Sequence, residues 1–117
     1  MRGLTAMSTQ QIGLPRVRLP SQVRAGEIIE IRTLVTHNME TGQRRDADGQ
    51  LVPRDIIRGF IARFEGEVVF AMELHPSVSA NPYIAFPFRA ERSGRFEFTW
   101  VNDEGTERRL TAELRVA

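Results

Sequence analysis

Apolar and polar residues alternate at every second position along most of this chain, and hardly anywhere at helical spacing. Such alternation is the signature of strands with one face buried. Pro15 to Pro20 reads as a short edge-type strand, because prolines are tolerated at the ends of such strands. The run 27–37 predicts a long strand with Ile29, Ile31, Thr33 and Val35 inward. Ile28 and Leu34, on the other parity, blur that pattern. Ile56 to Phe64 predicts a third strand, with Phe60, Ala62 and Phe64 on one face. Glu65-Gly66 then reads as a two-residue hairpin turn, since glycine takes the positive φ such turns require. The return strand runs from Val68 to Leu74, with Val68, Phe70, Met72 and Leu74 expected on one face.

Two prolines, Pro76 and Pro82, interrupt the pattern between His75 and Pro82, because proline cannot donate to a ladder. Ile84, Phe86 and Phe88 share a face in the next strand. Phe96, Phe98 and Trp100 line the sixth strand. Asn102 to Gly105 reads as a second turn, and Leu110, Ala112, Leu114 and Val116 alternate in the last strand. Pro53 to Ile57 allows one turn of helix. The expectation is therefore an all-β fold, an immunoglobulin-like antiparallel β-sandwich of about seven strands, with Trp100 as its core anchor.

Residues 37–55 stand apart. They form a long polar connection, and compact domains seldom keep one unless it is functional or disordered. Met39, Leu51 and Val52 supply apolar anchors that argue for order. Arg44, Arg45, Asp46 and Asp48-Gly49 make a charged tip with a turn signal.

At 117 residues the chain is long enough for one domain with a core that needs no staples. Residues 1–13 are expected to be a loose N-terminal tail and 14–117 a single domain. No apolar run reaches membrane-spanning length, and residues 1–6 lack the apolar stretch of a signal peptide. Charges of both signs are interspersed and sum to +1, with no basic stripe of the kind nucleic acid requires. All basic side chains are arginine, the residue best suited to bidentate carboxylate and oxyanion contacts. The chain has no cysteine, so disulfides, thiolate ligands and a thiol nucleophile are excluded.

Candidate chemistry is sparse. The two histidines, His37 and His75, each abut a strand end, where a hydrogen-bonded cap is the ordinary role. No nucleophile–base spacing, phosphate loop or metal-ligand cluster is evident, and neither catalysis nor a cofactor is expected. His37, Met39, Met72 and His75 are of the types copper favours, but a blue-copper site would also want a thiolate. Tyr83, following Asn81 and Pro82, is placed to present an aromatic ring at an interface.

The segment 37–46, with Gly49, Pro53 to Ile57, Phe60, Gly66, Val69-Phe70, His75-Pro76, Ser79 to Tyr83, Phe86, Gly94 and Phe96 to Trp100, resembles the SoxZ family of sulfur-oxidation proteins. The resemblance spans about Val17 to Val116; Asn38 departs from the proline often found there. It implies a non-catalytic subunit that forms a heterodimer with SoxY, whose C-terminal cysteine carries covalently attached sulfur during thiosulfate oxidation. It also implies transient contacts with the other enzymes of that pathway. The family is periplasmic without its own signal and is exported together with SoxY. The docking surface is expected on the 37–55 and 75–83 segments, through His37, Met39, Glu40, Arg44, Arg45, Asp46, Asn81, Pro82 and Tyr83. The opposing sheet face is the alternative. Without SoxY, an exposed apolar patch is expected to allow homodimers. The competing readings are an unrelated immunoglobulin-like adhesion or protein-binding module, and a small copper protein.

Overall fold

The computed structural model describes residues 12–117. The seven strands are β1 (Pro15–Arg18), β2 (Glu27–Val35), β3 (Ile57–Phe64), β4 (Glu67–Glu73), β5 (Tyr83–Ala90), β6 (Gly94–Asn102) and β7 (Glu107–Leu114). They form two antiparallel sheets, one in the order β1-β2-β5 and the other β4-β3-β6-β7. The sandwich that alternation predicted is thus present. It departs from a constant-type immunoglobulin domain in one respect, because β4 stays beside β3 instead of joining the opposite sheet. The hairpin turn explains this: Glu65 and Gly66 both adopt positive φ, 49° and 86°, which folds β4 straight back onto β3.

The inward residues of the two sheets meet in an aromatic core. Phe86 from one sheet stacks on Phe70 at 4.6 Å and lies 6.3 Å from Phe60 of the other. Phe88 meets Phe64 and Phe96 at 5.0 and 4.9 Å. Trp100 packs on Phe60 at 5.2 Å and is fully buried, as are Phe60, Phe96 and Phe98. Each such ring pair adds about 0.5–1.5 kcal/mol beyond area burial. Ile29, Ile31, Thr33 and Val35 of β2 all face this core.

Three expectations are corrected. Val68, Phe70, Met72 and Leu74 do not share a buried face. Phe70 pairs with Ala62 but Val68 pairs with Arg63, so a bulge in β4 opposite Ala62 and Arg63 resets the alternation. Val68 is consequently 56% exposed while Leu74 is buried. Among the described residues there is no helical turn at 53–57. Asp55 instead bridges to Glu40, and both Ile56 and Ile57 are buried. Leu51 does not anchor its loop, being 54% exposed. Pro87, inside β5, pairs with Glu30 on β2. It is accommodated because β5 is an edge strand and needs no donor on its open side. Part of the stretch expected to be a loose tail is placed: Ile12 is buried, and Gly13 N–H donates to Thr36 O at 2.8 Å. The remainder, residues 1–11, lies outside the described residues.

Candidate functional site: a braced arm and its anchor

The connection from β2 to β3 is an ordered arm. Its base is a two-way bridge in which Glu40 and Asp55 exchange backbone hydrogen bonds at 2.8 and 2.9 Å. Further out, Val52 N–H donates to Arg44 O at 2.8 Å. At the tip, the Asp46 carboxylate accepts from the amides of Asp48 and Gln50 at 2.9 and 3.0 Å. This is the turn chemistry expected of aspartate, whose oxygen substitutes for a backbone acceptor. Arg44 forks onto Glu40 at 3.1 and 2.6 Å, and Arg45 donates to Gly49 O at 2.7 Å. Gly42, at φ 87°, lies close against Arg54, where a Cβ would come within 3.0 Å of that side chain. The charges at the tip therefore brace the arm from within.

The arm is held to the sandwich by buried polar contacts around His37. Its Nδ1 accepts from Met39 N–H at 2.9 Å. That bond requires Nδ1 to be unprotonated, so the neutral ring carries its proton on Nε2. Nε2 points at the buried Asp55 carboxylate, 3.6 Å away. Burial lowers the His37 pKa, and the nearby Asp55 and Asp103 carboxylates oppose this only in part. Burial raises the Asp55 pKa. Asp55 Oδ1 is buried and unpartnered, which agrees with a carboxylate poorly served by its surroundings. Met39, in the left-handed region at φ 57°, turns its sulfur to accept from Ile57 N–H at 3.3 Å.

The 75–83 segment closes on the same point. Asn81, at φ 55°, accepts the His37 amide on its side chain at 2.9 Å and donates its own amide to His37 O at 2.7 Å. Pro82 is buried, and its carbonyl accepts from Val35 N–H at 3.3 Å. Asp103, from the β6–β7 turn, clamps the arm's other end. Its carboxylate takes Arg54 at 3.0 and 3.1 Å and Ile56 N–H at 3.1 Å.

The nine residues expected to form one docking surface are thus distributed over three places. His37, Met39, Asn81 and Pro82 make the anchor. Glu40, Arg44, Arg45 and Asp46 lie on the arm. Tyr83 stands apart, 60% exposed on β5. It pairs with Leu34 on β2, which places it on the outer side of the three-stranded sheet. Asp55 and Asp103 were missed as parts of the anchor. The one available signal was the placing of Asp55 directly before the apolar pair Ile56-Ile57; Asp103, between Asn102 and Glu104, carried none. Among the described residues no three of His, Asp or Glu gather closely enough to hold a metal ion.

The profile of the family described as sulphur oxidation protein SoxZ matches residues 17–113. The chain belongs to the SoxZ family. The match takes in the whole arm, its anchor and every strand except the first residues of β1 and the last of β7. No curated protein matches this SoxZ chain. Among solved structures it is similar to a variant superoxide reductase (neelaredoxin) from Ignicoccus hospitalis. The TM-score is 0.69 at 18% identity, covering 96% of this chain and 86% of that one. A superoxide reductase from Archaeoglobus fulgidus, in the reduced form, gives 0.57 at 20% identity, covering 97% of both chains. At such identities the likeness is one of fold, and function must be argued from the site.

Proposed function

We propose that this SoxZ chain is the non-catalytic half of a sulfur carrier, paired with SoxY, whose C-terminal cysteine holds the sulfur being oxidised. The family match over residues 17–113 carries the reading. The geometry supports it. The buried titratable pair, His37 and Asp55, is consumed in holding the arm, and the charged groups of the arm largely satisfy one another. Among the described residues no nucleophile and base converge on an open site, and what they offer a partner is surface. The place of work in this reading is the periplasm, reached in company with SoxY, and the other enzymes of thiosulfate oxidation are met transiently by the assembled pair.

Co-expression with SoxY, followed by sizing and mass measurement, tests the reading. The expected product is a tight one-to-one complex, and the isolated chain is expected to leave thiosulfate untouched. Two chains that elute separately, or a purified chain that oxidises thiosulfate by itself, would refute it.

A further inference from the structure

The two outer faces of the sandwich are built on different electrostatic plans. On the four-stranded sheet, arginines reaching outward from β3, β6 and β7 meet carboxylates. Arg95 meets Glu113 at 2.9 Å, Arg109 meets Glu107 at 2.7 Å, and Arg63 faces Glu97 at 3.9 Å. Charge on that face is largely paired, although Arg58, exposed on β3, donates instead to Asn102 O at 3.1 Å, and Val68 is 56% exposed opposite Arg63.

The outer face of the three-stranded sheet is not neutralised. Strand register sets Arg16, Leu34 and Tyr83 in one row and Arg18, Arg32 and Ala85 in the next. Ile28 and Arg89 form a row at the far end. Glu30 is the outward carboxylate of these strands, and it pairs with Arg32 at 2.8 Å. Among the described residues, no carboxylate lies within ion-pair distance of Arg16, Arg18 or Arg89. The apolar content is high for a solvated face. Tyr83 and Ile28 are each 60% exposed, and Leu34 is 36% exposed. Arg16, Arg18, Arg32, Leu34 and Tyr83 line one shallow hollow.

We propose that the outer face of the β1-β2-β5 sheet is the surface on which the partner subunit docks, and that the partner presents carboxylates around an apolar centre. The proposal rests on the reading above that the chain is half of a complex. Stable interfaces combine an apolar middle with a polar rim and favour tyrosine and arginine, the two residue types exposed here. Unpaired arginines are best met by carboxylates opposite them, since like charges juxtaposed at an interface repel and select against the wrong partner. The same argument excludes a second copy of this chain packed face to face, which would set Arg16 and Arg18 against arginines.

The test is binding of SoxY by the whole chain carrying R16E and R18E, against a control carrying R95E and R109E. Both pairs change the net charge equally, and melting temperatures verify that both remain folded. The face variant is expected to bind about 100-fold more weakly, the scale of two interface charges lost. The control is expected to stay within about threefold of the parent, since exposed ion pairs are worth little. Tyr83→Ala, which leaves charge alone, is expected to weaken binding at least tenfold. Association of the parent is expected to slow with added salt, and that of R16E/R18E to lose most of this dependence. Undiminished binding by the face variants overturns this surface and leaves the carrier reading standing. A parent chain that never binds SoxY overturns both. An isolated chain that dimerises through Arg16 and Arg18 overturns the choice of occupant.

Discussion

His37 sits where burial and charge pull in opposite directions. The ring is 5% exposed, its Nδ1 is committed to Met39 N–H, and burial holds it neutral. A histidine whose pKa is lowered on folding binds a proton more readily in the unfolded chain. Its contribution to stability is present above about pH 6.5, the ordinary histidine value, and is lost as pH falls below it. Asp55, raised by burial, acts with the opposite sign, so acid relieves part of its cost. The parent profile alone would mix the two. The stability difference between the parent and His37→Gln isolates the ring. That difference is expected to be largest near pH 7.5 and to narrow on acidification to about pH 5, as measured by urea unfolding at each pH. A constant difference would mean that the ring is not held neutral. Trp100 offers the contrast in legibility. Its burial could be read from Phe96, Phe98 and Trp100 alternating on one strand. Nothing local marks His37 as buried, because its partner carboxylate, on Asp55, lies far along the chain.

At the scale of elements, the arm depends on Asn81 as much as on its own residues. One side chain at positive φ satisfies the His37 amide and joins two segments that are 44 positions apart. Asn81→Gly keeps the backbone conformation and removes the hydrogen bond. Asn81→Ala removes the bond and adds strain, because alanine is disfavoured in the left-handed region. Leaving a buried donor unsatisfied costs about 1–3 kcal/mol. Both variants are therefore expected to lose stability on that scale, alanine the more, with faster amide exchange at Met39 and Glu40. Equal exchange in parent and variants would mean that the arm holds itself. The two segments were marked as special by length, charge and prolines, but their union was not legible, since it is made by one asparagine and one backbone pair. The bulge in β4 was hidden for a related reason. Alternation counts residues, and one extra residue opposite Ala62 and Arg63 reverses the parity without changing composition. The blurred parity of β2, in contrast, carried information: Ile28 and Leu34 are apolar on the outward face, where a self-sufficient sheet would be polar.

Over the whole molecule, the charge of +1 conceals a division of labour. Carboxylates cover one face and are nearly absent from the other, while the arm crosses from β2 in one sheet to β3 in the other. In the carrier reading, the absence of cysteine has a chemical purpose. A carrier thiol bearing a second sulfur contains an S–S bond that any nearby thiolate attacks. The thiolate either takes the outer sulfur and expels the carrier thiolate, or bonds to the inner sulfur as a disulfide and expels the outer group as an anion, hydrosulfide in the case of a persulfide. A cysteine-free scaffold cannot divert the sulfur in this way. Arg44 is the place to test the idea, since it is exposed on the arm and its fork onto Glu40 is a surface contact of small energetic weight. Arg44→Cys in the loaded complex is expected to yield a disulfide between the two subunits, visible by mass, and to lower thiosulfate turnover. Arg44→Ser, which matches the cysteine variant in size and lacks the thiol, is expected to leave turnover as it was. A loss shared by both variants would assign the effect to the arginine's charge. An unmodified thiol in the Arg44→Cys variant, with undiminished turnover, would show that the sulfur never comes within reach of the arm, and the absence of cysteine would then need another cause.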